Sequence, residues 1–382
     1  MTRTRLEKNR LHLNIFSKNV EVTVSGKCLA IKKLLEELKL YGQLNADVID
    51  MYINIAQDKI TDSIASNPST HIETQKGFGY IIQHPYGKSE TVFELEENNK
   101  KLFFNYNGKD KWYLYKFLSI QYCHPYEEIG TKFHEDALVP AFVVFFPEEI
   151  SFLHGSCVCK DDEAIIITGT GGVGKTTLEL HLILNCNYYF LADDMVPICG
   201  NNVYQNLSFP KIYKYNVYGW KELKKKIAEL NRSPLAKLNW YIKPYIPILG
   251  GGQVRRRVNP LNFFSGKVAK KANSKYVIFI NRTKKVKDIT LDQNVDPTLL
   301  AKASLYVIKN EMRTLFEHIK YHELNCLFLD KDPLITTEYI KQKFLNHYIE
   351  VFRKSELFLL HIPVKSTLAD LMSAIKIIKK RI

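Results

Sequence analysis

The stretch that decides the fold runs from Ala164 to Ile198 and reads AIIITGTGGVGKTTLELHLILNCNYYFLADDMVPI. Its first four residues, Ala164–Ile167, form a short apolar run that is typical of a buried strand. They lead into a complete G-x-x-x-x-G-K-[ST] motif, and the segment after it, up to Leu184, carries four leucines and few helix breakers. A strand, a glycine-rich turn and a helix in this order predict a phosphate-binding loop.

The residue types of this loop suit a polyphosphate for physical reasons. Glycines let the backbone turn tightly, so that successive amide groups converge on the anion beside the positive end of the following helix. Lys175 supplies a point charge for the β- and γ-phosphates, and Thr176 offers its hydroxyl to Mg²⁺. The predicted nucleotide-binding residues are Gly169, Thr170, Gly171, Gly172, Val173, Gly174, Lys175, Thr176 and Thr177.

Two adjacent carboxylates follow the next apolar segment. Tyr188–Ala192 reads as a second strand, and it ends in Asp193 and Asp194. At the end of a strand in an open α/β sheet, such acids meet the phosphate-binding loop. Neighbouring strand residues point to opposite faces, so one carboxylate is expected to hold Mg²⁺ as a Walker-B-type acid and the other to accept a proton from a hydroxyl. The alternative is a solvated acidic turn before a hairpin.

These segments resemble the HPr kinase/phosphorylases and the wider group of HPr-kinase-related proteins. The resemblance rests on Leu153-His154-Gly155, the phosphate-loop motif, and Leu191-Ala192-Asp193-Asp194, in that order and at similar spacing. It implies an ATP- and Mg²⁺-dependent kinase that phosphorylates a hydroxyl, usually of a serine. It also implies a fold similar to the nucleotide domain of phosphoenolpyruvate carboxykinase.

Carried over by position, the resemblance assigns roles to four side chains. Lys175 and Thr176 would hold ATP and Mg²⁺, Asp193 would be the base, and Asp194 would lie nearer the metal, although the two aspartates could be exchanged. His154 matches a family histidine near the phosphates; a hydrogen-bonded strand residue is the alternative for it.

The chain lacks the later glycine-rich segment that HPr kinases use in the reverse reaction. Stand-alone related kinases, such as lasso-peptide kinases, are therefore the closer analogues. They imply a peptide or small-protein acceptor and, as related kinases often are, a homo-oligomer.

The predicted fold class is α/β, or α+β over the whole chain. We expect an N-terminal α+β domain over residues 1–149, a nucleotide domain over 150–290 and a mainly helical region over 291–382. Finer predictions include a strand at Trp112–Ile120, a strand-like segment at Cys326–Leu329, and a solvated acidic cluster. The members of that cluster are Glu127, Glu128, Glu135 and Asp136.

Composition narrows the class of protein. The 382 residues are 46% hydrophobic and 12% aromatic, which argues against disorder. The net charge of +14 favours polyanionic partners, among them acidic or phosphorylated peptides, nucleic acid and anionic membranes, with no motif that makes nucleic acid obligatory. Seven irregularly spaced cysteines, no secretory signal and no membrane-spanning run predict a reduced, cytoplasmic chain.

A basic triplet, Arg255, Arg256 and Arg257, follows three glycines in the segment 246–258. A mobile loop with these residues could close over the γ-phosphate, since the arginine fork suits the charge of a loose transition state. A solvated basic loop is the alternative.

Two other functions fit parts of the sequence. A nucleotide-gated binding or regulatory ATPase would need no acceptor base and would suit the long flanks without motifs. The glycines at 169, 171 and 174 also spell G-x-G-x-x-G, which is the fingerprint of an NAD-dependent oxidoreductase. Such an enzyme has no need of Lys175 and Thr176 directly after the last glycine.

Overall fold

A computed structural model of the chain provides the description that follows. It describes residues 9–26, 28–44, 48–56, 63–66, 68–84, 87–108, 126–217, 220–230, 234–242, 245, 254–366 and 368–379. The strand predicted at Trp112–Ile120 and the glycines before Arg255 lie outside these residues.

The described part of the chain is a mixture of strands and helices, as predicted. The strands are β1 (Asn9–Ile15), β2 (Lys18–Val24), β3 (Met51–Ala56), β4 (His71–Thr74), β5 (Gly77–His84), β6 (Gly87–Glu96), β7 (Asn99–Gly108), β8 (Ile150–Lys160), β9 (Glu163–Gly169), β10 (Tyr189–Ala192), β11 (Met195–Cys199), β12 (Asn202–Tyr204), β13 (Lys211–Tyr213), β14 (Arg255–Arg257), β15 (Lys271–Thr283), β16 (Thr290–Asp292) and β17 (Glu356–Pro363).

The helices are α1 (Leu29–Leu38), α2 (Tyr126–Phe133), α3 (Val139–Phe145), α4 (Lys175–Cys186), α5 (Lys221–Leu230), α6 (Pro234–Tyr241), α7 (Pro260–Phe263), α8 (Pro297–Glu311), α9 (Arg313–Phe328), α10 (Thr337–Lys354) and α11 (Leu368–Lys379). A π-helical turn, His134–Leu138, connects α2 to α3. Among the described helices, none has the length and apolarity needed to cross a bilayer.

The chain divides into two compact units. The first unit comprises Met1–Pro147 and Met312–Lys341, and the second comprises Glu148–Glu311 and Gln342–Ile382. Helix α9 therefore belongs to the first unit, although almost the whole second unit separates it from that unit's strands in the sequence.

The first unit is built on a sheet in the order β1-β2-β3-β7-β6-β5-β4. Strand β3 runs parallel to both β2 and β7, and the other neighbours are antiparallel. Alternating apolar residues give β3 a buried and a half-buried face, as the period of a strand requires. Aromatic pairs such as Phe16 with Phe142 and Phe104 with Phe133 fill the core.

The second unit contains the decisive stretch. Its sheet has the order β10-β8-β11-β12-β15-β17-β16, and β9 pairs with both β8 and β15. The strands β9, β15 and β17 run parallel, and their apolar runs are buried in the way that parallel strands usually are. Helix α4 packs against β8, β9 and β10, and α8 packs against β8 and β9.

Two local predictions are wrong. The segment from Cys326 continues helix α9 to Phe328, because a four-residue apolar run fits a helix as well as a strand. The acidic cluster is not simply solvated surface, since Glu128 is only 5% exposed and Asp136 lies in the π-helical turn beside Lys132.

Candidate functional site

Strand β8 brings the glycine-rich loop and the aspartate pair of the decisive stretch together. One edge of β8 pairs with β9, and the other edge pairs with β11 and then β10, so that Met195 faces His154 and Ala192 faces Cys157. The aspartate pair therefore lies beside Gly155, whose amide donates to the Asp194 carbonyl at 3.1 Å. A Cβ at Gly155 would stand 2.6 Å from the Ile167 carbonyl oxygen, so this close approach requires glycine.

The glycine-rich loop leaves β9 and enters α4. Gly169 has φ +138°, and a Cβ there would lie 2.6 Å from the Ile280 carbonyl oxygen. Gly171 and Gly172 are exposed, and a Cβ on either would meet no described atom within 4 Å. Helix α4 begins after Gly174 without a side-chain cap from the described residues. An exposed turn at an uncapped helix N-terminus has the geometry that binds anions.

Lys175 points back into this loop. Its Nζ donates to the carbonyl oxygens of Gly169 at 3.0 Å and Thr170 at 2.8 Å, and it lies 3.0 Å from His154 Nε2. Burial lowers the pKa of Lys175, and burial together with the nearby ammonium lowers the pKa of His154 to about 4. A neutral His154 accepts from Lys175 through Nε2, which leaves the proton on Nδ1, 3.5 Å from Asp194 Oδ1.

The two aspartates occupy different environments. Asp193 is 8% exposed, and its Oδ1 accepts from Ser156 Oγ at 2.9 Å and from Thr176 Oγ1 at 3.3 Å. Burial and the charge of Asp194 raise the pKa of Asp193.

Asp194 has a left-handed backbone, with φ +71°, and a side chain that is 36% exposed. Its Oδ2 lies 2.8 Å from Lys211 Nζ. Although burial opposes ionisation, Lys211 and His154 hold the pKa of Asp194 below its usual range.

A second buried acid, Glu179, lies beside Asp193, and we call the group of Ser156, Thr176, Glu179 and Asp193 the Asp193 cluster. Glu179 is 1% exposed, and its Oε1 has no hydrogen-bond partner among the described residues. Burial and the charge of Asp193 raise the pKa of Glu179 well above its usual value, although a hydrogen bond with Ser156 opposes this. Burial and the neighbouring carboxylate therefore favour the protonated form of Glu179.

The remaining predicted residues lie in varied surroundings. Val173 and Thr177 are buried, and Thr177 Oγ1 accepts from Asn216 Nδ2 at 2.9 Å. The structure brings His154, the glycine-rich loop, Lys175, Thr176 and both aspartates together. A nucleotide contact for each loop residue stays a prediction.

The arginine triplet is not a solvated loop. It forms β14, which pairs with β13, and Arg256 and Arg257 are buried. Arg256 donates to the Ala236 carbonyl at 3.0 Å and stacks over Trp240. Arg255 donates to Tyr213 Oη at 2.6 Å. A phosphate clamp formed by this triplet stays a prediction.

Sequence reasoning missed Ser156, Glu179 and Lys211. Ser156 directly follows His154-Gly155 and could have been found as an alternate residue on the same strand face. Glu179 lies four residues after Lys175, one helical turn further, within an otherwise apolar helix. Lys211 carries no local signal, because only the tertiary fold places it beside Asp194.

No family model matches the chain, and no curated protein matches it. Among solved structures, it is similar to the Hpr(Ser) kinase/phosphatase from Coxiella burnetii, with 14% identity and a TM-score of 0.22. The alignment covers 37% of this chain and 77% of that chain.

Proposed function

We propose that the protein is an ATP- and Mg²⁺-dependent kinase that transfers the γ-phosphate to a serine or threonine hydroxyl of a peptide or small protein. The observation that carries this proposal is the contact between Thr176 Oγ1 and Asp193 Oδ1, 3.3 Å apart, with Asp194 beside them and partly exposed. A hydroxyl at the start of the loop helix and an acid on the adjacent strand form the usual metal-binding pair of phosphate-loop enzymes.

The glycine-rich loop and Lys175 fit a nucleoside triphosphate. The exposed turn at Gly171 and Gly172 leaves room for a polyphosphate, and the uncapped start of α4 supplies amide donors. Lys175 Nζ already lies within hydrogen-bond distance of two loop carbonyls, so a small rotation brings it to the phosphates. The lysine would then neutralise charge on the transferring group.

The residues also fit Mg²⁺, and they favour an exchange of the two aspartate roles. Asp193 is buried, contacts Thr176, and forms no ion pair with a described basic side chain, so a divalent ion at this position would compensate its charge. We therefore propose Asp193 and Thr176 as the protein ligands of Mg²⁺. The ion would shield the phosphate oxygens as charge develops on them.

Asp194 is then the group that faces the acceptor. Its partly exposed carboxylate accepts the proton of the incoming hydroxyl and orients its oxygen, while Lys211 and His154 hold the side chain in place. The depressed pKa of Asp194 makes it a weak base. Orientation is its main contribution, which agrees with a loose transition state that needs little proton transfer before the phosphoryl group moves.

The net charge of +14 supports an acidic or phosphorylated acceptor, because a basic surface attracts such peptides. ATP alone uses few of these charges.

The test is transfer of labelled γ-phosphate from ATP with Mg²⁺ to a panel of peptides and host-extract proteins. We expect wild type to label an acceptor, Asp194→Asn to lower kcat, and Asp193→Asn to raise the Mg²⁺ concentration needed for half-maximal rate. Lys175→Ala should lose most of the rate, whereas Lys221→Ala, at an exposed site on α5, should behave as wild type. Normal transfer by both aspartate variants would refute the site assignment.

The same experiment separates the alternative functions. ATP binding and slow hydrolysis with no labelled acceptor would favour a nucleotide-gated binding protein. Protection of the fold against heat by NAD, and not by ATP, would favour an oxidoreductase.

A further inference from the structure

A second group of functional side chains lies in the first unit, where strand β4 faces helix α9. His71 and Glu73 are two residues apart on the strand, so they share one face. His318, His322 and Cys326 repeat every four residues along the helix and also share one face. We call these five residues, together with Lys331, the Glu73 cluster. The five are each no more than 6% exposed.

The ligand-type atoms of this cluster converge. Oxygens of Glu73 lie 2.9 and 3.0 Å from His322 Nδ1, and Cys326 Sγ lies 3.6 Å from the same nitrogen. One ligand atom from each of these three residues falls within 4.8 Å of the others. Zinc bonds of about 2.3 Å to sulfur and about 2.0 Å to nitrogen would place those two atoms roughly 3.5 Å apart at a tetrahedral centre.

A further histidine lies next to the three converging residues. His71 Nε2 is 3.0 Å from Glu73 Oε2, although His71 is not one of the residues whose ligand atoms all lie within 4.8 Å of one another. The second ring nitrogen of His71 lies 3.2 Å from His318 Nδ1. Metal-ligating histidines usually donate their free N–H to such a partner, which fixes the ring orientation.

The charge balance of the cluster also suits a divalent ion. Glu73 is fully buried, and its counter-charge is Lys331, whose Nζ lies 2.7 Å away on a side chain that is 22% exposed. Lys331 can therefore swing out to solvent. A divalent cation bound by a carboxylate and a thiolate gives the same net charge of zero as the present pair of carboxylate and ammonium.

We propose that Glu73, His322 and Cys326 form a structural zinc site that ties helix α9 to strand β4, and that His71 shifts on binding to become the fourth ligand. Mixed nitrogen, oxygen and sulfur ligands of this kind suit Zn²⁺ better than Mg²⁺ or Ca²⁺. The site is independent of the proposed kinase function.

Zinc binding changes the contacts of three residues. The Cys326 thiol loses its proton to solvent as the sulfur–zinc bond forms, and Lys331 releases Glu73. His322 now carries its proton on Nδ1, because the Leu334 amide donates to Nε2 at 2.8 Å. Coordination through Nδ1 moves this proton to Nε2 and ends the Leu334 hydrogen bond, so the turn after α9 must rearrange on binding.

The experiment uses the untagged full chain, stripped with a chelator and titrated with Zn²⁺ or Co²⁺. We expect stoichiometric zinc by elemental analysis and, with cobalt, a thiolate-to-metal charge-transfer band. Cys326→Ser should lose the band, whereas Cys199→Ser, a half-buried cysteine of the second unit, should keep it. His318→Gln should weaken binding by about 10-fold to 100-fold, as expected for a residue that positions a ligand.

A second measurement distinguishes a loss of zinc binding from misfolding of the variants. Zinc should raise the melting temperature of wild type and of Cys199→Ser but not of Cys326→Ser, and it should shift the Leu334 amide resonance in wild type. Failure of wild type to retain zinc, or a charge-transfer band that persists in Cys326→Ser, would overturn the proposal.

Discussion

The Glu73 cluster and the Asp193 cluster are both buried and both centred on carboxylates, yet their charges are balanced differently. Glu73 receives hydrogen bonds from His71, His322 and Lys331. Asp193 accepts from the hydroxyls of Ser156 and Thr176 and from the Asp194 backbone, donors that carry no charge, and Glu179 lies next to it. One cluster has its counter-charge within the chain, whereas the other has a surplus of acid beside an exposed loop.

The pKa values of Glu73 and Glu179 are shifted in opposite directions, which reflects the same difference. Burial alone would raise the pKa of both glutamates, but hydrogen bonds from His322, His71 and Lys331 lower that of Glu73 to about 2. Burial and the charge of Asp193 instead raise the pKa of Glu179 well above its usual value. Burial therefore does not decide the role of a buried acid. The neighbours decide whether the acid already has a counter-charge, which a metal ion would replace at Glu73, or lacks one, as at Glu179.

The largest expected effect is on phosphoryl transfer. Lys175→Ala should reduce kcat/KM by about 10²–10³-fold, since it removes a charge that stabilises the transferring group. Steady-state kinetics with the labelled acceptor measures this loss. A reduction below tenfold would mean that the Asp193 cluster does not work with the glycine-rich loop, and the contrast between the clusters would lose its functional meaning.

The next effect concerns stability. Glu73→Gln should lower the free energy of unfolding by about 1–3 kcal/mol, because glutamine keeps one acceptor oxygen but loses the charge and places an N–H donor among the donors that faced the carboxylate. Asp193→Asn is the matched variant, and we expect it to be neutral or stabilising in the absence of ligands. Urea denaturation of both variants, without metal or nucleotide, measures the difference. Equal losses would remove the distinction between the two clusters.

A pH effect should follow from His154. Its pKa is about 4 in the folded chain and near 6.5 when unfolded, so the unfolded state binds more protons between these values. Stability from this residue is complete above about pH 6.5 and falls by up to about 1.4 kcal/mol per unit as the pH drops towards 4. His154→Gln should remove this contribution from the pH dependence of unfolding. An unchanged slope would show that His154 is not held neutral by burial beside Lys175.

A smaller effect is expected for Glu179. Because burial and the charge of Asp193 favour the protonated carboxyl in the folded chain, Glu179→Gln should change stability by less than about 1 kcal/mol at pH 7, since swaps that preserve shape and hydrogen bonding cost little. Glu179→Ala, which removes the partner of Ser156 and leaves a cavity, should cost about 2–3 kcal/mol. Denaturation curves would contradict the protonated state if glutamine were as harmful as alanine.

The smallest expected change in stability, at an exposed ion pair, is the reference for the buried clusters. Arg313 and Glu317 form an exposed ion pair at 3.5 Å, with side chains that are 76% and 53% exposed. Arg313→Ala should change the free energy of unfolding by less than about 0.5 kcal/mol, as surface pairs usually do. A larger change in the same assay would mean that the losses seen in the buried clusters are not specific to burial.

The sequence predicts well what depends on neighbours along the chain. The strand before Gly169, the loop, the start of α4 at Lys175 and the place of the aspartates after a short strand all follow from local patterns. By contrast, the Glu73 cluster joins residues about 250 positions apart, such as Glu73 and His322. The periodicity of apolar residues in the sequence does not predict that contact. The burial of Arg256 was equally hidden, because its partners Ala236 and Trp240 lie on another element.

The way in which β8 pairs with two successive strands along one edge has an evolutionary consequence. Because β11 and β10 continue along the same edge with a register shift near Ala192, the position of the carboxylates depends on the number of residues between Phe190 and Met195. A single insertion or deletion there would exchange inward-facing and outward-facing side chains and turn Asp193 away from Thr176. Homologues of this chain should therefore keep the length of this segment constant, even where one buried apolar side chain of β10 or β11 replaces another.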